Sequence, residues 1–114
     1  MELKPTHKVI ISDEVWNFLE SLPEKVRDKI LYNANLVSFG KIDKELFKKL
    51  GSTDIWELCT LIAGNAYRIL AFWDTRKESL ILTTHGFSKR TQKTPKKEIA
   101  RAERIRKEYF NENY

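Results

Sequence analysis

Length, composition and charge already exclude several classes of protein. The chain has 114 residues, 41% of them hydrophobic, and a formal net charge of +5, which suits one domain spanning residues 1–114 with its own apolar core. No apolar run approaches the roughly 18 residues of a membrane-spanning helix, and the N-terminus lacks the apolar core of a signal peptide. Cys59 is the only cysteine, and His7 and His85 are the only histidines, so neither an internal disulfide nor a zinc site of ordinary spacing is expected. We therefore expect a cytoplasmic protein without a metal or small-molecule cofactor.

The basic residues are concentrated towards the C-terminus. Nine of them lie between residues 89 and 107, namely Lys89, Arg90, Lys93, Lys96, Lys97, Arg101, Arg104, Arg106 and Lys107. Only Glu98 and Glu103 oppose them there, so this window carries +7 although the whole chain carries +5. Such an asymmetry indicates a polyanionic partner. A solvated helix face and an acidic protein partner are the alternatives.

Two helices are predicted in the first 40 residues. Ser12 can cap the first, Pro23 suits the first turn of the second, and Gly40 can end it. Apolar residues recur at helical spacing through both, namely Val15, Phe18, Leu19, Leu22, Val26, Ile30, Ala34 and Val37. Because only a short joint separates the two helices, an antiparallel hairpin is expected. A further helical turn is expected to face inward through Leu46, Phe47 and Leu50.

The second half of the chain predicts a sheet and then one more helix. Three segments are rich in β-branched and aromatic residues, at 55–62, 66–74 and 79–87. Gly64-Asn65 fits a two-residue hairpin turn, residues 7–11 can add an edge strand, and Thr94-Pro95 can cap and start the last helix. The predicted fold is α+β, with an N-terminal helical hairpin packed on a twisted antiparallel sheet of three to four strands. A basic C-terminal helix follows the sheet.

Three polar residues in the predicted strands are candidates for a site. Hairpin pairing can bring Glu57 and Arg68 close together, and a charged arginine in an apolar strand must meet Glu57, solvent or a bound anion. A purely structural ion pair between the two is the alternative. Strict alternation along the third strand would place His85 on one face with Ile81, Thr83 and Phe87.

The segment from His85 to Pro95 combines the groups that RNA cleavage without a metal requires. A base must take the proton of the ribose 2′-OH, cations must stabilise the phosphorane, and an acid must protonate the leaving oxygen. His85 titrates near neutrality, and Phe87 could stack on a base. In the alternative interpretation, His85 is a hydrogen-bonded strand residue and Phe87 belongs to the core. No P-loop, dinucleotide fingerprint or serine-type nucleophile motif is present.

Several motifs resemble those of one toxin superfamily. They are Ile55-Trp56-Glu57-Leu58, Gly64-Asn65-Ala66-Tyr67-Arg68-Ile69-Leu70, and the stretch from His85-Gly86-Phe87-Ser88-Lys89-Arg90 to Ala102. Together they resemble the phage-derived HigB-like branch of the RelE/ParE toxins. The resemblance implies the small RelE fold and a type II toxin–antitoxin system with a helix-turn-helix antitoxin as partner. It also implies docking on the ribosome and metal-independent cleavage of the translated mRNA.

The resemblance also assigns roles to residues by position. Arg68 is similar to the strand arginine that contacts the scissile phosphate, Lys89 to a basic residue after the last core strand, and His85 and Glu57 are the proton-transfer candidates. The expected RNA-binding residues are Arg90, Lys93, Phe87, Lys96 and Lys97. The chain departs from the family in having Cys59 where relatives often carry arginine, and it lacks the late tyrosine of some RelE-type toxins. Two other functions stay open, namely a ParE-like inhibitor of DNA gyrase and a non-catalytic module that binds nucleic acid or an antitoxin.

Overall fold

The computed structural model describes residues 5–76, 80–89 and 93–113. In order, the elements of this part of the chain are β1 (Lys8–Ile10), α1 (Asp13–Glu20), α2 (Glu24–Ser38), β2 (Phe47–Lys49), β3 (Trp56–Ile62), β4 (Asn65–Asp74), β5 (Leu80–Lys89) and α3 (Lys96–Asn113). The strands form one sheet in the order β1-β5-β4-β3-β2, with β1 parallel to β5 and the other pairs antiparallel. The α+β class is confirmed, but the sheet has more strands than predicted and is mixed. None of the described helices is long and apolar enough to cross a membrane.

The two N-terminal helices lie on the sheet. The hydroxyl of Ser12 caps α1 by accepting a hydrogen bond of 3.1 Å from the backbone N–H of Val15, as predicted. Only residues 21–23 separate α1 from α2. However, α1 packs mainly against β5 and α2 against β3 and β1, so the sheet provides the main support of the predicted helical hairpin.

The short strand β2 replaces the helical turn expected before Gly51. The Asp43 carboxylate accepts hydrogen bonds from the backbone N–H groups of Glu45 and Leu46, which closes a turn at residues 43–46. The chain then pairs with β3, and the ring of Phe47 stacks on that of Trp56 with 5.0 Å between centroids. Cross-strand pairing and this aromatic contact override the helical spacing of the apolar residues.

The hairpin between β3 and β4 turns one residue earlier than predicted. Ile62 pairs with Asn65, so the two turn residues are Ala63 and Gly64, both at positive φ, instead of Gly64-Asn65. Positive φ at both positions is the requirement of the tight turn that matches strand twist. The predicted and the observed register differ by two residues in strand pairing, so each side chain keeps the same face in both. The alternation of apolar residues therefore does not distinguish the two registers.

The two faces of the sheet bury two separate cores. On one face, α1 and α2 cover a cluster made of Val15, Leu19, Val26, Ile30, Ala34, Val37, Phe47, Leu58, Ile69, Ala71 and Ile81. On the other face, α3 covers a smaller cluster made of Ile55, Leu70, Phe72, Phe87 and Ala102. The alternation of Ile69 and Ala71 with Leu70 and Phe72 along β4 separates the two cores. The basic helix α3 is therefore part of the packed structure.

A β-bulge in β5 determines which side chains reach α3. Gly86 pairs with Ile69 and Thr83 pairs with Ala71, so the two residues between Thr83 and Gly86 oppose one residue of β4. The bulge changes the alternation: Ile81 packs in the core under α1 and α2, whereas His85 faces α3. The expectation that His85 shares a face with Ile81 and Thr83 is therefore wrong, because strict alternation does not continue through a bulge.

Candidate functional site

Glu57, Arg68 and His85 form a polar cluster on the face of the sheet that α3 covers. They belong to the adjacent strands β3, β4 and β5, and their exposed fractions are only 2%, 4% and 1%. Arg68 pairs in the ladder with Cys59, so its contact with Glu57 is diagonal, with 3.8 Å between Arg68 Nε and Glu57 Oε1. The sequence predicted this proximity, and the observed register produces it.

The start of α3 closes this polar cluster. The hydroxyl of Thr94 donates a hydrogen bond to Glu57 Oε2. One helical turn further on, Glu98 Oε1 lies 3.5 Å from Nε2 of His85. On the other side of the imidazole, Nδ1 and the hydroxyl of Thr84 form a hydrogen bond of 3.0 Å. Each acidic or imidazole group of the cluster thus has a partner, and two of these partners come from residues 94–98.

Burial determines the protonation of His85 and Cys59. Desolvation lowers the pKa of His85, and the neighbouring Glu98 carboxylate opposes this shift. The imidazole is therefore neutral at pH 7 and able to accept a proton. Burial also raises the pKa of the Cys59 thiol, the Glu57 carboxylate raises it further, and Arg68 acts in the opposite direction. The thiol is therefore protonated near neutral pH and is a poor nucleophile.

Phe87 belongs to the core under α3. Its side chain is only 9% exposed and its ring lies roughly parallel to that of His85, with 6.0 Å between the centroids. Because Phe87 packs in the core under α3, the expectation that it stacks on a nucleobase is not met while α3 covers it. The alternative interpretation of the sequence, in which Phe87 belongs to the core, is observed.

The expected RNA-binding lysines near the start of α3 lie at the surface. The side chains of Lys93, just before the helix, and of Lys96 and Lys97, in its first turn, are exposed. The backbone of Lys89 pairs with Ala66, next to the pair formed by Phe87 and Arg68. The side chain of Lys89 and the whole of Arg90 lie outside the described residues, so a pocket shared by Arg68 and Lys89 stays a prediction.

Part of the basic run between residues 89 and 107 is used for packing. Arg101 forms an ion pair with Glu14 of α1. Arg106 lies 3.7 Å from Asp54, measured from Nη1 to Oδ2, and its guanidinium sits over the ring of Phe110 at 4.9 Å. These two arginines therefore attach α3 to the rest of the fold, whereas Arg104 and Lys107 point outward with exposed side chains.

Thr94 and Glu98 are site residues that the sequence did not reveal. Thr94 was expected to cap the last helix, but α3 begins only at Lys96, and the hydroxyl donates to Glu57. Glu98 counted only as an acidic residue within a basic run. The sequence signal for them was their position shortly after the last strand. A helix that begins there and packs back across the sheet brings its first residues over the polar side chains of the strands. Among the described residues, no group of His, Cys, Asp and Glu side chains could hold a metal ion.

The fold is similar to that of bacterial RelE toxins. The chain superposes on Escherichia coli toxin RelE in the free state, a mutant form, with a TM-score of 0.56 and 11% identity over 71% of this chain and 81% of that chain. It superposes on a chain of the Mycobacterium tuberculosis toxin–antitoxin complex RelBE2 with a TM-score of 0.52 and 15% identity, over 79% of this chain and 98% of that chain. Comparison with curated proteins gives no match.

A family model identifies the chain more closely. Residues 17–107 match the model described as "Phage derived protein Gp49-like (DUF891)". The chain therefore belongs to the phage-derived Gp49-like family, and it has the fold of the RelE toxins. The recognition that rested on the strand motifs and the segment after His85 is confirmed.

Proposed function

We propose that this protein is the toxin of a type II toxin–antitoxin pair and that it cleaves translated mRNA on the ribosome without a metal. The observation that supports the proposal most directly is that Glu57 and Arg68 are in contact and that His85 lies on the same α3-covered face, on the next strand of the sheet. A cation, a carboxylate and a neutral imidazole are the groups that phosphodiester transfer to a 2′-OH needs. The expected partners are the ribosome, its mRNA and a helix-turn-helix antitoxin.

Each side chain of the cluster has a defined part in this reaction. Neutral His85 takes the proton of the ribose 2′-OH, and the 2′-oxygen then attacks the adjacent phosphorus. The guanidinium of Arg68 stabilises the charge that develops on the phosphorane oxygens. A proton from solvent reaches the 5′-oxygen as the P–O bond breaks, which leaves a 2′,3′-cyclic phosphate and a 5′-hydroxyl, and the imidazolium then releases its proton to water. Glu57 holds the guanidinium in place, and Lys89 is expected to supply a further cation.

RNA reaches the cluster only if residues 93–98 move. In the described structure the three side chains are almost completely buried. Thr94 donates a hydrogen bond to Glu57 Oε2, and Glu98 lies beside Nε2 of His85. Displacement of this segment removes both partners and leaves Nε2 to face a ribose, while Thr84 still holds Nδ1. The proposal therefore includes an opening of the first turn of α3 on the ribosome.

Induction of the chain in bacteria tests the proposed activity. We expect growth arrest and new 5′ ends within translated mRNA. Arg68→Lys keeps the buried charge but loses the planar guanidinium, so it should relieve the arrest while the protein stays folded. Arg27→Lys on α2 makes the same chemical change away from the site and should stay toxic. Unchanged mRNA ends in cells that contain the folded wild-type protein would overturn the nuclease proposal.

A non-catalytic module that binds RNA or an antitoxin is the second candidate. The closed cover over Glu57, Arg68 and His85 favours it, and so does Cys59 at the position where relatives often carry an arginine. This candidate predicts salt-dependent RNA binding without cleavage products on translating ribosomes. DNA breaks after induction, with intact mRNA, would instead indicate a ParE-like gyrase inhibitor.

A further inference from the structure

A long groove runs beside α3, between this helix and the chain that connects β2 to β3. One part has a volume of about 520 Å³ and contacts Lys48, Leu50 and Lys96 among others. The second part has a volume of about 860 Å³ and contacts Asp54, Arg104 and Lys107 among others. Both parts share Ser52, Thr53, Ala100 and Glu103, so they form one continuous depression, here called the α3 groove.

The α3 groove is strongly basic. The cationic side chains that line it are Lys48, Lys93, Lys96, Arg104, Arg106 and Lys107. Only Asp54 and Glu103 oppose them among the described lining residues, and Asp54 lies beside Arg106. Lys48, Lys93, Lys96, Arg104 and Lys107 are exposed to solvent. The ligand that fits this lining is a polyanion.

One end of the α3 groove lies directly over the polar cluster. Thr94 lines the groove and donates its hydroxyl to Glu57. Lys48 also lines the groove, and it is the cross-strand partner of Glu57 in the pairing of β2 with β3. A strand of RNA whose scissile phosphate contacts Arg68 would therefore leave the polar cluster along the groove. From Lys96 to Lys107 the groove follows the helix for about 16 Å at the α-helical rise, which is room for several nucleotides.

The lining also distinguishes RNA from an acidic protein partner. Stable protein interfaces are anchored by large apolar or aromatic side chains in desolvated pockets. The exposed large hydrophobic residues of the described chain are Trp16, Tyr32, Phe39, Ile42 and Leu61, and none of them lines the groove. The apolar residues that do line it, Leu50, Ile99 and Phe110, are partly buried against the core under α3, and its charged residues are mainly cationic. Dispersed cations are typical of contacts to a phosphate backbone, which carry no sequence information.

We infer that the α3 groove binds the single-stranded RNA that flanks the scissile phosphate, with Arg104 and Lys107, which lie outside the segment that must move, contacting its phosphates. The inference rests on the proposed function for the identity of the polyanion. It assigns a role to Arg104 and Lys107, two residues of the basic run that the packing of α3 leaves at the surface. It also makes the contribution of the groove independent of base sequence.

Binding of non-cleavable RNA tests the inference. The probe is a fluorescent 2′-O-methyl oligoribonucleotide of 12 nucleotides, titrated with the full chain at several salt concentrations. The groove variant is Arg104→Gln/Lys107→Gln. The matched control is Lys25→Gln/Lys44→Gln, which removes the same charge from exposed positions outside the groove. Glutamine is a good helix former at the three helical positions, and Lys44 lies in an exposed turn, so both variants should fold.

The expected result is a smaller salt dependence of RNA affinity in the groove variant. Loss of two phosphate contacts lowers the log–log slope of affinity against salt by roughly 1.4, at about 0.7 per contact for single strands. The control should keep the wild-type slope. A groove variant with the wild-type slope and affinity would overturn the inference, and so would wild-type protein that binds polyglutamate as tightly as RNA.

Failure of the groove and failure of the nuclease give different patterns. Wild-type protein that binds RNA with a groove-dependent slope but produces no mRNA cleavage supports the groove and contradicts the proposed activity. Cleavage by the wild-type protein, with equal RNA binding in the groove variant, contradicts the groove alone.

Discussion

Breaking the buried contact between Glu57 and Arg68 should destabilise the protein strongly, whereas removing both charges together should not. The perturbations are Glu57→Gln, Arg68→Met and the double variant. Each single change leaves one charge buried under α3 without its main counter-charge. The double change replaces the ion pair by two uncharged side chains of similar volume.

The geometry sets the size of the effect. At a separation of 3.8 Å and an effective dielectric constant of about 20, two unit charges attract each other by about 4 kcal/mol. Removing one partner of a buried pair typically costs about 3–5 kcal/mol, whereas replacing both partners is often nearly neutral. We therefore expect a loss of about 3 kcal/mol or more for each single variant and less than about 2 kcal/mol for the double variant.

Urea denaturation followed by tryptophan fluorescence measures these free energies of unfolding. The two single-variant losses should sum to far more than the loss in the double variant. Losses below about 1 kcal/mol in both single variants, or a double variant that equals their sum, would refute the buried pair. Arg68→Lys keeps the charge and so avoids this cost, which separates a loss of activity from a loss of folding.

Three further predictions follow from the packing and titration of the site. Because burial lowers the pKa of His85, the folded protein resists protonation there. Stability should fall as the pH drops below the unfolded value near 6.5, by up to about 1.4 kcal/mol per pH unit, and His85→Gln should remove this part of the slope in urea titrations. Glu57→Gln removes a charge that raises the pKa of Cys59, so alkylation by iodoacetamide at pH 8 should be faster, and an unchanged rate would contradict the contact. Gly86→Ala places a methyl group 2.4 Å from a ring carbon of Phe18, so a loss of about 1–3 kcal/mol is expected, and an unchanged urea midpoint would refute that packing.

Local patterns predicted most elements of the fold. Apolar spacing and the Ser12 cap gave both N-terminal helices, and β-branched runs gave β3, β4 and β5. The elements that were wrong depend on long-range pairing. β2 is only three residues long and is supported by pairing with β3 and by the stacking of Phe47 on Trp56. In the sequence, the helical spacing of Leu46, Phe47 and Leu50 predicted a helical turn instead.

The candidate site was predictable in its members but not in its environment. Pleat alternation and the hairpin brought Glu57 and Arg68 together, and the family resemblance assigned His85. The sequence did not show that the start of α3 covers them, because the position of a returning helix depends on packing against a distant core. The bulge in β5 was equally hidden, since two residues opposite one leave no mark on composition.

Cleavage of a defined mRNA on purified ribosomes tests the central claim most directly. Ribosomes stalled with an empty decoding site are mixed with the purified chain, and the 5′ ends of the message are mapped over time. The account predicts cleavage in the decoding site by the wild-type protein and Arg27→Lys, and a rate about 100- to 1000-fold lower for folded Arg68→Lys. Equal rates for Arg68→Lys and the wild-type protein, or an intact message throughout, would contradict it.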